Sequence, residues 1–542
     1  MPLQNLAYTA LLLGVLVTVH ELGHFLVAKA CRVKVLRFSI GFGPALLRFT
    51  RGETEYRLAA LPLGGYVKMA GDMPDEELPP EEASRGFLAQ PPWKRALIVA
   101  AGPAFSLLFP VLVYFAVFFG AHEAISNRIG GVEPGMPAAA AGLKAGDRIL
   151  AVDGEKTETF EQYKDALQSR YGQSTTLTIE REGKTFTVQL NPATTVESNA
   201  IESLTRGTIG VSPVARPPVV GVPLDSPAHA AGLRTFDRIL SINDQPVKDE
   251  GALNAIVHPL EGALTVEVMR ADPVELPGTM AALPRLERLT LPRQAGEGYA
   301  ALGAERNDLY VYYVLPGSSA EKAGLRHGDR LLETDGKPIP SMLALGYTLK
   351  ALEQRPFQLT WRSGLERRTA EVAQLPIEDK DELGQVTRTP ALGVAGRPLG
   401  TEEDFSAERV TLHMGAMDAL VESVRIVPDI IRKTVLVLGR LITGHIPFEN
   451  VGGPIMLYEI ASKSAEQGFD MFLQSMAIIS INLGVMNLLP IPMLDGFHLV
   501  AAIWEGIRRR PIPVKAREIA NWVGLCMLIL LMVLVFKNDL TR

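Results

Sequence analysis

Apolar residues in this 542-residue chain are concentrated towards its two ends, whereas the middle has the mixed composition of soluble domains. Four apolar stretches approach the roughly 20 residues that a helix needs to cross a membrane. They run over about 6–30, 96–120, 471–489 and 519–536. The first lacks a basic start and is interrupted by His20, Glu21 and His24, so we interpret it as a retained span, not a cleaved signal peptide. The pattern predicts a polytopic α-helical membrane protein with about four transmembrane helices.

Lys and Arg are concentrated in the loop between the first two spans and in the loop between the last two. The first set is Arg32, Lys34, Arg37, Arg48, Arg51, Arg57, Lys68, Lys94 and Arg95, and the second is Arg508, Arg509, Arg510, Lys515 and Arg517. Because short cytoplasmic loops carry an excess of Lys and Arg, both loops are predicted to be cytoplasmic. Four spans then leave both termini and the middle region outside the cytoplasm.

The remaining composition narrows the function classes. The net charge of −6 gives no indication of a nucleic-acid partner. The two cysteines, Cys31 and Cys526, lie at opposite ends of the chain in or beside apolar segments. A disulfide framework and a cysteine-ligated metal are therefore not expected.

The middle region repeats itself three times. An Ala-Gly-Leu sequence places glycines at 142, 232 and 324, about 90 residues apart, which is the length of one small domain. In each copy a patch of small residues opens a short helix, Gly-Leu ends it, and Asp-Arg followed by apolar residues begins a buried strand. The second copy has Thr235-Phe236-Asp237 where the others have Ala-Gly-Asp and His-Gly-Asp. We expect the loss of this glycine to change the turn before the strand.

These copies resemble bacterial PDZ domains, which implies three extracytoplasmic α+β domains. PDZ domains commonly bind extended peptides by adding a strand to a sheet edge. Peptide ligands are therefore one expectation, and a spacer or a screen against large ectodomains is the alternative. The predicted division is 1–120 for the first two spans, 121–200, 201–296 and 297–377 for the three PDZ domains, 378–442 for a linker and amphipathic surface helix, and 443–542 for the last two spans.

The first span contains His20-Glu21-Leu22-Gly23-His24. In a helix, positions i and i+4 lie on one face, so the two imidazoles can hold one Zn²⁺. Glu21 between them is placed to take a proton from water. Ionisable groups inside an apolar span are costly and usually mark function. The spacing and the location therefore favour a metal site over a purely structural role for these residues.

A catalytic zinc usually has three protein ligands, and no suitable third ligand follows His24 closely. Asp495 is an ionisable residue at the end of the third apolar stretch, in the sequence from Asn487 to Gly496. Pro490 and Pro492 interrupt this stretch and free backbone groups that protein or water must satisfy at membrane depth. Asp495 is the expected third ligand, and a helix cap at the membrane interface is the alternative.

Together these motifs resemble the site-2 protease family of intramembrane zinc metalloproteases, in particular its regulator type in Gram-negative bacteria. The likeness rests on His-Glu-Leu-Gly-His, Asn-x-x-Pro-x-Pro-x-Leu-Asp-Gly and the PDZ copies between them, and it extends over nearly the whole chain. Further matching stretches begin at Phe38, Pro62, Ala101, Gly453 and Phe536.

The resemblance implies that His20, His24 and Asp495 bind zinc and that Glu21 is the general base. It implies that Asn487, Pro490 and Pro492 help to hold the substrate strand. Residues 41–68 would form membrane-associated β-hairpins, with a turn at Gly64-Gly65. The expected substrates are single-span proteins of the inner membrane, such as an anti-sigma factor or a remnant signal peptide, already cut on their outer side. The product would enter the cytoplasm.

Three points differ from this pattern or stay open. Ser106 stands where the family usually has Asn, and three PDZ copies stand where relatives usually have two. Residues 408–442 are amphipathic, which favours a helix on the outer membrane surface, with a fifth crossing as the alternative. A non-catalytic membrane scaffold that presents PDZ domains is the rival function, and it would need neither Glu21 nor Asp495.

Overall fold

The computed structural model describes residues 3–73, 76, 78–198, 203–276, 279–352, 355–380, 386–395, 407–444, 446–510 and 512–541. Within the predicted linker, residues 381–385 and 396–406 therefore lie outside the described residues. The chain divides into two compact units. The first unit contains Met1–His122, Lys380–Thr387 and Leu412–Arg542, and the second contains Glu123–Asp379 and Arg388–Thr411.

Long helices form most of the first unit, and short helices belong to the repeats of the second. The α-helices are α1 (Leu3–Ala30), α2 (Pro92–Phe119), α3 (Pro137–Ala140), α4 (Phe160–Leu167), α5 (Pro227–Ala230), α6 (Glu250–Val257), α7 (Ser319–Ala323), α8 (Met342–Ala351), α9 (Ala416–Ile442), α10 (Pro454–Gln467), α11 (Phe469–Asn487), α12 (Asp495–Arg508) and α13 (Val514–Thr541). Short 3₁₀ helices lie at Ala83–Arg85, Ala300–Leu302, Asn307–Leu309 and Phe448–Asn450.

Strands occur mainly in the second unit. They are β1 (Val35–Arg51), β2 (Thr54–Met69), β3 (Ala121–Ile125), β4 (Gly131–Val132), β5 (Arg148–Val152), β6 (Glu155–Lys156), β7 (Thr175–Arg181), β8 (Lys184–Leu190), β9 (Ala193–Ser198), β10 (Ser203–Thr208), β11 (Val211–Ser212), β12 (Val220–Gly221), β13 (Arg238–Ile242), β14 (Gln245–Pro246), β15 (Ala263–Leu276), β16 (Thr279–Pro292), β17 (Glu305–Arg306), β18 (Tyr313–Val314), β19 (Arg330–Thr334), β20 (Lys337–Pro338), β21 (Phe357–Ser363), β22 (Glu366–Val372), β23 (Leu375–Lys380), β24 (Val386–Ala391), β25 (Val394–Ala395) and β26 (Arg409–His413).

Among the described residues, four helical segments are long and apolar enough to cross a membrane: Gln4–Ala30, Pro92–Phe119, Phe469–Asn487 and Glu518–Thr541. They coincide with the four predicted apolar stretches. The last one keeps most of its large apolar side chains on the outside of the protein, as a lipid-facing helix does. The expectation of about four transmembrane helices is therefore confirmed at the level of helix length and composition.

Residues 408–442 differ in part from the predicted single helix. Val410 and Leu412 alternate with polar residues in the short strand β26, and the helix α9 begins only at Ala416, after its N-cap Gly415. Strict alternation is the period of a strand, which explains why this segment leaves the helical pattern. In α9, Val427 packs with Val113 of α2, while charged residues occupy other faces of the helix.

The loop after α1 forms a small sheet from β1 and β2. Residues 37–40 pair on one side with 65–68 and on the other with 55–58, so they form the centre of this sheet. Gly64, with φ of +142°, lies where the chain enters the segment that pairs with 37–40. Gly52, also with positive φ, forms the tight turn between β1 and β2. The predicted β-structure of 41–68 is thus present. The predicted turn at Gly64-Gly65 is wrong, because both glycines lie inside β2 and the chain reverses at Gly52 instead.

Each of the three repeats has its own sheet and its own apolar core. The sheets have the antiparallel orders β6-β5-β7-β8, β14-β13-β15-β16 and β20-β19-β21-β22. The short pairs β4–β11, β12–β17 and β18–β25 add a second, smaller sheet to each repeat. Ile149, Ile239 and Leu331 occupy equivalent core positions on the central strands. A separate core in each repeat is the structural basis of the α+β fold of this unit.

The turn before β13 keeps its backbone conformation although its glycine is lost. Phe236 has φ of +74°, in the same left-handed region as Gly146 and Gly328 of the other repeats. The expected change in this turn is therefore wrong. The Phe236 ring is buried, and its centroid lies 5.1 Å from that of Tyr312 and 5.2 Å from that of His327. Ring burial against the third repeat offsets a backbone strain of roughly 1–2 kcal/mol.

Candidate metal centre

The helix α1 places His20 and His24 on one face, and both side chains are buried. Asp495, the first residue of α12, reaches them from the other end of the chain. Its Oδ2 lies 3.1 Å from His20 Nε2 and 3.4 Å from His24 Nε2, and the two Nε2 atoms are 3.3 Å apart. Three atoms of ligand type therefore converge on one point.

This donor set fits a zinc ion. A tetrahedral zinc with nitrogen and oxygen ligands at about 2.0–2.2 Å separates its ligand atoms by roughly 3.3–3.6 Å, within a few tenths of an ångström of the separations here. His24 Nδ1 lies 2.8 Å from the carbonyl oxygen of Ile98, which only accepts, so Nδ1 carries the proton. The Nε2 lone pair of His24 then faces Nε2 of His20 and a carboxylate oxygen. A cation between these groups resolves the repulsion.

His20 also has a partner outside the donor set. Its Nδ1 lies 3.0 Å from Oγ of Ser106, a fully buried residue of α2. The carbonyl of Ser106 in turn accepts a hydrogen bond of 2.7 Å from Oγ of Ser480 in α11. Ser106, which stands where the family usually has Asn, therefore makes a polar contact with the site through a hydroxyl in place of the larger amide.

Two glycines let α1 and α2 approach closely beside the histidines. A Cβ at Gly102 would lie 2.2 Å from His24 Nε2, and a Cβ at Gly23 would lie 2.3 Å from the carbonyl oxygen of Ala101. Either contact is too short for a side chain. The glycine of the Ala101-Gly-Pro103 sequence is thus what makes room for the second imidazole.

Glu21 lies between the two histidines in sequence and beside the β1–β2 sheet. A Cβ at Gly65 would lie 3.2 Å from Glu21 Cγ and 2.7 Å from Val17 Cγ1. The absence of a side chain at Gly65 therefore lets β2 pass directly over the Glu21 face of α1. Of the two predicted glycines, Gly65 contacts this face, whereas Gly64 packs against the ring of Phe42.

The connection from α11 to α12 brings Asp495 into the site. Asn487 is the last residue of α11, and Pro490 and Pro492 lie in the irregular segment that follows. A Cβ at Gly496 would lie only 2.3 Å from the Leu489 carbonyl oxygen, so this position needs glycine. The start of α12 therefore packs tightly against the segment that follows α11. Proline in this connector prevents α11 from continuing, which leaves Asp495 free to start a new helix.

The structure brings His20, His24 and Asp495 together and places Glu21 next to them. It puts Asn487 at the end of α11, and Pro490 and Pro492 in the connector that leads to Asp495. It adds Gly102, Ser480 and the Ile98 carbonyl, which sequence reasoning missed. Gly102 was marked only as part of a matching stretch, and no local signal distinguishes Ser480 from other serines in apolar helices.

Two imidazoles, a carboxylate and a neighbouring glutamate, set among helices of membrane-spanning length, define a metal-dependent membrane hydrolase. Comparison with known proteins gives the family. The model of peptidase family M50 matches residues 8–531. The chain belongs to peptidase family M50 and is a zinc metalloprotease.

Full-length relatives agree with this assignment. A protein named Protease RseP from Yersinia pestis is 30% identical over 100% of this chain and 99% of its own length. A protein of Vibrio cholerae, named as a zinc metalloprotease, is 30% identical over 98% of this chain and 97% of its own length. The Regulator of sigma-E protease RseP of Escherichia coli is 29% identical over 100% and 99%.

Proposed function

We propose that this zinc metalloprotease hydrolyses peptide bonds of membrane-spanning segments inside the bilayer. One observation carries the proposal: His20, His24 and Asp495 converge beside Glu21 on helices long and apolar enough to cross a membrane. Ionisable groups at membrane depth are expensive and usually functional. A scaffold that only presents the repeats would have no use for this constellation.

His20, His24 and Asp495 would hold the zinc, and Glu21 would act as the general base. Bound zinc supplies a Lewis acid that polarises the scissile carbonyl and makes water easier to deprotonate. Glu21 takes a proton from the attacking water and delivers it to the leaving amine. The Ile98 carbonyl would keep the His24 imidazole in the tautomer that leaves Nε2 free for the metal. No covalent intermediate is needed.

The substrate helix must unwind before it is cut, because a helical amide is hydrogen-bonded and sterically shielded. The β1–β2 sheet supports a role in holding the unwound strand, since Gly65 brings it against Glu21. Strand addition to a sheet edge provides main-chain hydrogen bonds for any sequence. Asn487 at the end of α11, and Pro490 and Pro492 in the connector to Asp495, would position the same strand.

The substrate class follows from the relatives' names and the site. Proteins named regulator of sigma-E protease suggest an anti-sigma factor or a remnant signal peptide as substrate, cut after a first cleavage outside the membrane. The protein would reside in the inner membrane with the product released to the cytoplasm. The Lys- and Arg-rich loops support cytoplasmic placement of 31–91 and of the basic segment from Arg508 to Arg517 between the last two spans. An outer location for the repeats and both termini would follow.

The three repeats, which resemble PDZ domains, would control access and leave the chemistry to the helical unit. Peptide binding at their sheet edges remains the alternative. A size series of ectodomains on one model span distinguishes the two, using the full chain and a chain lacking 123–379. Screening predicts a size limit that weakens on deletion, whereas an identical size dependence in both chains contradicts it.

The decisive test of the function is Glu21→Gln in the full chain. Zinc content should stay at the wild-type level, because glutamine leaves the donor set intact, while cleavage of a model single-span substrate should fall at least 10²-fold. Glu459→Gln, a glutamate of α10, is the matched control and should cleave normally. Cleavage by Glu21→Gln above a few per cent of wild type contradicts the assigned role.

The orientation is tested separately. A single cysteine introduced at Lys184, the exposed first residue of β8, should react with an impermeant thiol reagent in spheroplasts, in a background where Cys31 and Cys526 are replaced by Ser. A cysteine at Arg510 should react only after lysis. The reverse pattern would overturn the proposed topology and leave the metal centre unaffected.

A further inference from the structure

Ser106 occupies an unusual place for a serine in an apolar helix. It lies in α2, one of the segments of membrane-spanning length, and its side chain is fully buried. A serine hydroxyl in a helix commonly returns its hydrogen bond to the carbonyl of the preceding turn. Here Oγ instead lies 3.0 Å from Nδ1 of His20, on a different helix.

The position of this hydroxyl is fixed from a third helix. Ser480 of α11, also buried, donates from Oγ to the carbonyl oxygen of Ser106 at 2.7 Å. A chain of two hydrogen bonds thus connects α11 to α2 and α2 to the imidazole on α1. Because all three residues are buried, water does not compete for these bonds.

The two histidines are held in different ways. His24 Nδ1 donates to the main-chain carbonyl of Ile98, which no substitution removes. His20 Nδ1 has a side-chain partner, so its orientation depends on the residue type at position 106. When Ser106 Oγ accepts a hydrogen bond from Nδ1–H of His20, the Nε2 lone pair of His20 faces His24 and Asp495.

We propose that Ser106 is a positioning residue of the metal centre. Its hydroxyl oxygen accepts a hydrogen bond from Nδ1–H of His20 and thereby fixes the tautomer and ring orientation that zinc binding requires. This inference rests on the proposed function of His20, His24 and Asp495. Partners of this kind outside the ligand set typically change metal affinity by about 10–100-fold. Ser480 acts through Ser106, by holding the turn of α2 that carries it.

The test compares zinc affinity in purified full-length variants, by competition with a chelator. Ser106→Ala removes one oxygen atom and should weaken zinc binding about 10–100-fold. Ser106→Thr keeps the hydroxyl and should recover most of that loss. Ser462→Ala is the matched control: Ser462 is buried in α10, its Oγ donates within its own helix to Tyr458, and its variant should bind zinc normally.

Two further readouts separate positioning from general destabilisation. The zinc-free Ser106→Ala protein should melt within a few degrees of the zinc-free wild type. Its cobalt-substituted form should show altered ligand-field absorption, because the His20 ring is no longer held. Wild-type zinc affinity in Ser106→Ala overturns the inference, and so does an affinity loss that is matched by an equal loss of zinc-free stability with unchanged cobalt bands.

His20→Ala distinguishes failure of this inference from failure of the proposed site. The proposed site predicts that His20→Ala loses zinc. If it does, and Ser106→Ala binds like the wild type, only the role of Ser106 is wrong. If His20→Ala retains full zinc affinity, the proposed site itself is wrong and the role of Ser106 is overturned with it.

Discussion

The candidate metal centre and the first two repeats bury charged groups in opposite ways. In these two repeats, the signature aspartate before the central strand is paired within its own domain: Arg181 donates to both oxygens of Asp147, and Arg270 does the same for Asp237. The hydrogen bonds from Arg181 to Asp147 also raise the pKa of Arg181. In the helical unit, His20, His24 and Asp495 meet without such an internal match, since lone pairs and a carboxylate face one another.

The difference shows how structural and functional charges can be told apart. A buried carboxylate with a bidentate arginine and a backbone donor is already satisfied and needs no ligand. A set of converging acceptors is incomplete until a cation arrives. Removing a partner should therefore reduce stability in the repeats and remove the metal in the helical unit.

The largest effect is expected from Asp495→Ala. Loss of the third donor should reduce both zinc content and cleavage to background, while the zinc-free protein melts like the zinc-free wild type. The matched control is His498→Ala, an exposed histidine of the same helix α12. Full zinc occupancy in purified Asp495→Ala would mean that Asp495 is not a ligand and would remove the contrast between the two units.

Arg270→Ala should destabilise the second repeat by about 3–5 kcal/mol, because Asp237 would remain buried without its partner. Hydrogen exchange of the β13 amides in the full chain measures this change, and zinc content should be unaffected. Arg367→Ala breaks an exposed pair with Glu333 and should cost less than about 1 kcal/mol. Equal losses of stability from the two substitutions would contradict the view that the buried Asp237 depends on its arginine.

Phe236 offers a finer test within the repeats. Phe236→Gly and Phe236→Ala both lose the ring contacts with Tyr312 and His327, but only glycine adopts φ of +74° without strain. We therefore expect the glycine variant to be more stable than the alanine variant by about 1 kcal/mol. Hydrogen exchange of β13 and β19 measures the difference. An alanine variant as stable as the glycine variant would show that the turn relaxes.

The smallest effect concerns Glu408, which bonds to Arg128 and Arg148. Burial alone would raise the pKa of Glu408, but the two arginines outweigh it and lower the pKa below its ordinary value. Stability from this carboxylate is therefore present above its ordinary pKa and is lost as the pH falls through the lowered pKa. Protection of the Ser126 amide, which donates to the Glu408 carbonyl, should fall as the pH drops below the ordinary pKa of a glutamate, when its observed exchange rate is divided by the intrinsic rate at each pH. Glu408→Gln should remove that pH step.

Much of the helical unit could be predicted from the sequence. A membrane span is recognised by the length of its apolar stretch, and the His20-Glu21-x-x-His24 motif is recognised by its helical spacing. Asp495 could also be predicted from the sequence, because a carboxylate shortly after two prolines is unusual next to an apolar segment. The contact between Ser106 and His20 could not be predicted, since it depends on how α1 and α2 pack. Closing strands of two residues, such as β11, carry too short a pattern to recognise, and the φ of Phe236 follows only from contacts with the third repeat.

The distance along the chain between the donors has a consequence for biosynthesis. His20 and Asp495 are 475 positions apart. A ribosome that adds about 5–20 residues per second needs roughly half a minute to a minute and a half to translate that interval. During this time the N-terminal helices can enter the bilayer while the third donor has not yet been made. With the proposed ligand set, a nascent or prematurely terminated chain would lack a complete metal centre and could not cleave neighbouring proteins until translation is almost finished.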